Sequence, residues 1–302
     1  LSRQRSMRIS LPCAALLAVA LAACQPIRPD APTPVASTAP AAASVPADDN
    51  LNAVLWVQRS AEYQAAAIQT YRAAAEYLDK ALAEPHWDAL VPSERDNHGH
   101  GLKPAVVLDI DETVLDNSPY QARLVRDGLE YSDPTWDAWV EERRATPVPG
   151  VLEFARAAQA RGVTLVYISN RAVHVKQATL DNLRAQGLPV ADDSVFLGLG
   201  TVVEGCDQHG SEKDCRRRLA GRNYRVLMQF GDQLGDFVHI PANTPQARQG
   251  LLEEYDDWFG ERWWMLPNPT YGSWEPALFD NNFKQPRDVR RAAKRAALEV
   301  AP

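Results

Sequence analysis

Ala105-Val106-Val107-Leu108-Asp109-Ile110-Asp111-Glu112-Thr113-Val114-Leu115-Asp116-Asn117 is the stretch whose reading decides the fold. From Ala105 to Leu108 it is apolar and rich in valine, the pattern of a parallel strand buried on both faces. The run stops on Asp109, and a second carboxylate, Asp111, follows two residues later. Asp and Asn are common turn formers, so a bare Asp-x-Asp also fits a surface turn. In an open α/β sheet, however, ligands bind at the carboxyl ends of strands, where two acids would project into a crevice. Asp-x-Asp-x-Thr in that place suits phosphoryl transfer. One carboxylate attacks phosphorus, the other handles protons, and a divalent cation offsets the crowded negative charge.

Two further apolar runs end in the same way. Val163-Thr164-Leu165-Val166-Tyr167-Ile168 reads as a buried strand closing on Ser169-Asn170-Arg171, after a helix from Val151 to Arg161. Tyr224-Arg225-Val226-Leu227-Met228-Gln229-Phe230 reads as another, ending on Gly231-Asp232-Gln233-Leu234-Gly235-Asp236-Phe237. A shorter strand is expected from Ser194 to Leu199, followed by a polar loop with Cys206, Lys213 and Cys215. Strands ending in acid, hydroxyl and acid imply one site built at one edge of a sheet. Between Asn117 and about Thr146 lie Tyr120, Tyr131, Trp136 and Trp139 among charges, which reads as an inserted helical cap whose rings are packing residues by default. Leu51 to Ala83 has helical spacing, as one helix or two, and its residues are assigned to packing. His98-Gly99-His100 is left as a solvated loop, because Asp109, Asp111 and Asp232 already offer the hard oxygens that Mg²⁺ prefers.

These motifs together resemble the class C bacterial acid phosphatases, the lipoprotein e group of the haloacid dehalogenase superfamily. The likeness rests on Asp-x-Asp-Glu-Thr followed by Leu-Asp-Asn, on Gly231-Asp232 with Asp236-Phe237, and on Leu266-Pro267-Asn268-Pro269-Thr270-Tyr271-Gly272-Ser273-Trp274. It runs from about Leu51 to at least Phe279. The resemblance implies a Rossmannoid α/β fold, a parallel sheet flanked by helices, with a cap inserted at about 117–147. It implies Mg²⁺-dependent hydrolysis of phosphomonoesters, 5′-nucleotides or nicotinamide mononucleotide among them. Asp109 would be the nucleophile that carries an aspartyl-phosphate, and Asp111 the acid and base. Ser169 and Asn170 would bind the phosphoryl oxygens and Lys213 would neutralise them, although a solvated charge run also fits Lys213 because the surrounding motif departs from the family's. Asp109, Asp232, Asp236 and the backbone carbonyl of Asp111 are the expected metal ligands. Trp136 and Tyr271 would sandwich a base, with plain packing as the alternative for each ring. Gln233 stands where the family carries Asn. The resemblance also implies a homodimer.

The flanks bear on location. Arg3, Arg5 and Arg8 precede an apolar stretch, Leu11 to Ala22, too short to span a bilayer, so residues 1–23 read as a signal peptide. Leu21-Ala22-Ala23-Cys24 is similar to a lipobox, which would place a lipid on Cys24 and the protein at the outer membrane; secretion without lipid is the alternative. Residues 24–50, rich in Ala, Pro, Ser and Thr, read as a disordered tether, and 51–302 as the catalytic domain. A net charge of −7, which becomes more acidic once the leader's arginines are removed, argues against polymeric nucleic acid as a partner. In an oxidising compartment Cys206 and Cys215 suit a disulfide, with two isolated thiols as the alternative. A phosphotransferase on the same core, or a lipoprotein that binds nucleotide or haem without turnover, would use the same cleft. The intact set of Asp109, Asp111, Lys213 and Asp232 argues for catalysis.

Overall fold

In the computed structural model, which describes residues 48–301, the leader, Cys24 and nearly all of the tether lie outside the described residues. The chain opens with α1 (Leu51–Arg59) and α2 (Ala61–Ala83). Ser60 divides them: its backbone is extended and its Oγ accepts from the Tyr63 N–H at 3.0 Å, starting a new helix. Glu84 is extended because Pro85 follows it, and α2 stops there. Next come β1 (Lys103–Leu108), β2 (Leu115–Asp116), α3 (Ser118–Asp127), α4 (Asp133–Glu141), β3 (Thr146–Pro147) and α5 (Val151–Ala160). The second half holds β4 (Thr164–Ala172), α6 (Lys176–Ala185), β5 (Phe196–Leu199), α7 (Asp214–Asn223), β6 (Tyr224–Gly231), α8 (Pro245–Glu254), β7 (Trp263–Met265) and α9 (Arg287–Ala296).

The five strands β5-β4-β1-β6-β7 form one sheet, in that order, and every neighbouring pair is parallel. Its apolar runs explain both faces. Val106 and Leu108 of β1 join a core with Tyr71 and Leu78 of α2 and Phe154 of α5, while Ala105 and Val107 face the other way, against Val166, Val226 and Ala220 of α7. The cap is an excursion clasped at its base, where β2 and β3 pair antiparallel and bring Leu115 opposite Pro147.

Two elements depart from the sequence reading. β4 does not end at Ser169 but runs on to Ala172, which pairs with Leu199 after a register shift between Ile168 and Ala172. This bulge turns Ser169 and Arg171 toward the β1 loop without ending the strand. The tail supplies the fifth strand, β7, which sequence reasoning left unassigned. Trp263-Trp264-Met265 is too short to show a period, and it is held as a strand by pairing with β6. Among the described residues no helix is long and apolar enough to cross a membrane.

Candidate active site

Because the strands are parallel, the loops that follow them gather at one end of the sheet. Asp109 follows the central strand β1, Ser169 sits in the bulge of β4, Lys213 ends the loop after β5, Asp232 and Asp236 follow β6, and Tyr271 follows β7. All five strands therefore contribute to the site.

Asp109 is buried, and its N–H donates to the Phe230 carbonyl at 2.9 Å, which extends the β1–β6 ladder by one residue. Lys213, also buried, donates from Nζ to Asp109 Oδ1 and to Asp236 Oδ1, the latter at 2.6 Å. The other oxygen of Asp236 accepts from the backbone N–H groups of Asp232 (3.0 Å) and Gln233 (2.8 Å). Asp236 is thus occupied on both sides and orients its neighbours. Gly231 makes this possible, because a Cβ there would lie 2.3 Å from Asp236 Cβ. Asp232 Oδ2 accepts from Gln233 Nε2 (2.8 Å) and Asn268 Nδ2 (2.7 Å).

Carboxylate oxygens of Asp109, Asp232 and Asp236 lie within 4.8 Å of one another. Burial pushes the Asp109 carboxyl well up, against the pull of Lys213 and with the push of Asp236 and Asp232. Asp232 is pushed up to about 7, by burial first and then by Asp236. Lys213 is pulled down by burial, but Asp109 and Asp236 outweigh that and raise it. One ammonium does not neutralise this many acids. The hydrogen bonds among described residues engage only Oδ1 of Asp109 and Oδ2 of Asp232, which leaves one oxygen of each for a cation. An all-oxygen donor set short of positive charge fits a hard divalent ion such as Mg²⁺.

The Asp111 side chain turns away from that cluster. Its Oδ1 accepts from Arg171 Nε and Asn117 Nδ2, each at 2.9 Å, and its Oδ2 from Ser169 Oγ at 3.2 Å. Asn117 is in turn held by Trp139 Nε1 at 2.8 Å and by Arg171 at 3.1 Å, which ties Asp111 to the cap. Sequence reasoning quoted Arg171 but assigned it no role. Its signal was position: a cation at the end of a strand, beside a hydroxyl.

Arg216 was missed as well. Buried in the first turn of α7, it donates to the Ser169 carbonyl (2.6 Å), to Asn170 Oδ1 (2.7 Å) and to the Glu212 carbonyl (2.9 Å). Burial and the adjacent Arg217 lower its pKa to about 10. Arg217 pairs with buried Glu94 at 2.6 Å and donates to the Gly235 carbonyl at 2.7 Å. Two consecutive arginines thus fasten the β4 loop and the β6 loop to the helix that starts directly after Lys213. A disulfide between Cys206 and Cys215 closes the loop before it.

Trp136 and Tyr271 make no ring contact with each other. Trp136 packs on Tyr120 and Tyr131 and under the Arg171 guanidinium, 5.6 Å from its ring centre. Tyr271 Oη donates to Glu112, a buried residue of the β1–β2 turn with φ of 57°. Tyr63 of α2, assigned to packing from sequence, has a buried hydroxyl with no hydrogen-bond partner among the described residues. Burial raises that hydroxyl's pKa, helped by Asp116, Glu112 and Asp232.

The family model for HAD superfamily, subfamily IIIB (Acid phosphatase) matches residues 16–274. Among solved structures the chain is similar to the class C acid phosphatase from Bacillus anthracis, 34% identical, with 84% of this chain and 98% of that chain covered and a TM-score of 0.72. The same enzyme with tungstate bound matches at 34% identity over the same shares, with a TM-score of 0.73. Among curated proteins, Acid phosphatase 1 of Solanum lycopersicum is 27% identical over 171 residues, 55% of this chain and 57% of its own length. Stem 31 kDa glycoprotein of Glycine max is 25% identical over 180 residues, 59% of this chain and 62% of its own length. The chain therefore spans less than two thirds of these curated relatives. With a parallel sheet that carries its acids at one end and a family model matched along most of its length, this chain belongs to the acid phosphatases of haloacid dehalogenase subfamily IIIB.

Proposed function

We propose that the protein is a lipid-anchored, Mg²⁺-dependent phosphomonoesterase that acts on 5′-nucleotides or nicotinamide mononucleotide. The observation that carries this reading is the separation of two carboxylates from one loop. Asp109 faces Lys213 and the acidic cluster, while Asp111 faces Arg171, Asn117 and Ser169. That division suits a nucleophile and a proton carrier. A bound Mg²⁺, held by Asp109 and Asp232, would supply charge stabilisation for the transferred phosphoryl group.

Asp109 attacks phosphorus with its carboxylate oxygen, and the bond to the leaving oxygen breaks as Asp111 delivers a proton to it. Water then attacks the aspartyl-phosphate, Asp111 takes the proton, and the acyl-phosphate P–O bond breaks to free Asp109. Lys213 stabilises charge on Asp109 and the phosphoryl oxygens, and Asp236 fixes its Nζ in place. Arg171 holds Asp111 against the bulge of β4, and Arg216 sets the Ser169-Asn170 backbone where the phosphoryl oxygens bind. Trp136 and Tyr271 would form the walls for a base.

The Leu21–Cys24 motif supports lipid on Cys24, an outer-membrane location and a periplasmic or surface-facing domain. The class C resemblance supports a homodimer. Phosphate release from nicotinamide mononucleotide, with Mg²⁺ or EDTA, beside Asp109→Asn tests the central claim. Metal-dependent release that Asp109→Asn abolishes is expected. No release from this ester or from a small aryl phosphate would sink the enzyme reading and favour a binding lipoprotein.

A further inference from the structure

The loop that carries Tyr271 has no regular structure, yet beyond the contact of Asn268 with Asp232 it is tied to the catalytic loops at two further points. One tie is Tyr271 Oη to Glu112. The other is Gln233. Its Nε2 donates to Asp232 Oδ2 at 2.8 Å and to the Tyr271 carbonyl at 3.2 Å, and its Oε1 accepts from the Ser273 N–H at 3.2 Å. The amide's orientation follows from its partners, since two oxygens face Nε2 and an N–H faces Oε1. Gly272 lies flat against this amide, where a Cβ would come within 2.2 Å of Oε1. Asp232 is held independently by Asn268 at 2.7 Å, so it does not depend on Gln233 for its orientation.

We propose that Gln233 is a positioning residue that holds Tyr271 over the phosphoryl site through the 271–273 backbone. By doing so it sets the preference for phosphate esters whose leaving group carries a planar ring. Asn, one methylene shorter, would keep an amide near Asp232 but withdraw it from the loop. This inference rests on Tyr271 being a substrate wall, as proposed above.

The test is Gln233→Asn, assayed with a nucleoside 5′-monophosphate and with ringless glycerol phosphate in saturating Mg²⁺, beside amide hydrogen exchange at Ser273. The expected result is a KM for the nucleotide raised on the order of tenfold, the scale of one weakened stacking contact. Both kcat values and the glycerol phosphate KM should stay within about twofold, and Ser273 exchange should quicken because its acceptor is withdrawn. An equal loss with both esters, or a changed Mg²⁺ requirement, would show that Gln233 acts through Asp232 and overturn the proposal. Unchanged kinetics with unchanged exchange would overturn it too. A parent enzyme that does not distinguish the two esters would sink the substrate-wall reading and the selectivity with it, while Ser273 exchange would separately decide whether Gln233 holds the loop.

Discussion

Among the described residues Lys213 is the only ammonium shared by two acids of the cluster, and its removal isolates the charge balance of the site. Lys213→Met should lower kcat by about 10²–10³, the usual scale for loss of one preorganised charge partner; kcat measured at saturating ester would check it. The acids that Lys213 leaves uncompensated also predict a pH dependence. Asp232 lies near 7 in the fold, whereas an unfolded Asp lies near about 3.9. The folded state therefore binds more protons between those values, and the metal-free protein should lose stability as pH rises from about 4 to about 7. Burial shifts Asp109 and Glu112 in the same direction. A divalent ion that needs ionised ligands should reverse the trend. In EDTA, Tm should fall from pH 5 to pH 7.5, and Mg²⁺ should raise it more at pH 7.5 than at pH 5. A metal-free Tm that climbs across this range would contradict the crowding described here.

At the scale of elements, α7 is where three loops are fastened. Its first turn carries Arg216 and Arg217, and the Cys206–Cys215 bond closes the loop just before it. Arg217→Met would leave the Glu94 carboxylate buried without its partner, a change that costs about 3–5 kcal/mol; urea denaturation should show a midpoint lowered accordingly. The disulfide spans a short loop, so its loss, through Cys206→Ser with Cys215→Ser, should destabilise by about 2–4 kcal/mol. Because Lys213 lies inside that loop, kcat should also fall. If the bond only stabilises, its loss would lower the midpoint and leave kcat unchanged below the transition. The bulge in β4 belongs to this scale as well, since a strand that simply stopped at Ser169 would leave Arg171 no fixed approach to Asp111.

For the molecule as a whole, Ala47–Pro302 is one compact unit with its core on both faces of the sheet. A chain beginning at Ala47 should fold with the midpoint of the full protein and turn over phosphate esters at the same rate. Under the proposed lipid anchoring, Cys24→Ser should move the activity from the membrane fraction to the soluble one while leaving kcat unchanged. Activity that stays with the membrane in that variant would refute the anchoring.

What could be read from the chain alone follows from local physics. Apolar runs that end on Asp109, Ser169 and Asp232 specify parallel strands and bring their ends to one edge, because a strand buried on both faces tolerates a carboxylate only where it leaves the sheet. The parallel sheet and the placing of Asp109 at the end of its central strand were legible for that reason. Gln233, Arg171 and Arg216 were not, because the partners they hold lie far away in sequence: Tyr271 from Gln233, Asp111 from Arg171, Ser169 from Arg216. No periodicity encodes such contacts. β7 belongs with them, since three residues become a strand only when β6 offers an unpaired edge. The tertiary structure also decided which acid faces Lys213 and the acidic cluster and which faces the guanidinium. Asp109 and Asp111 are near neighbours in the chain, and only the turn after β1 sends their side chains to different partners.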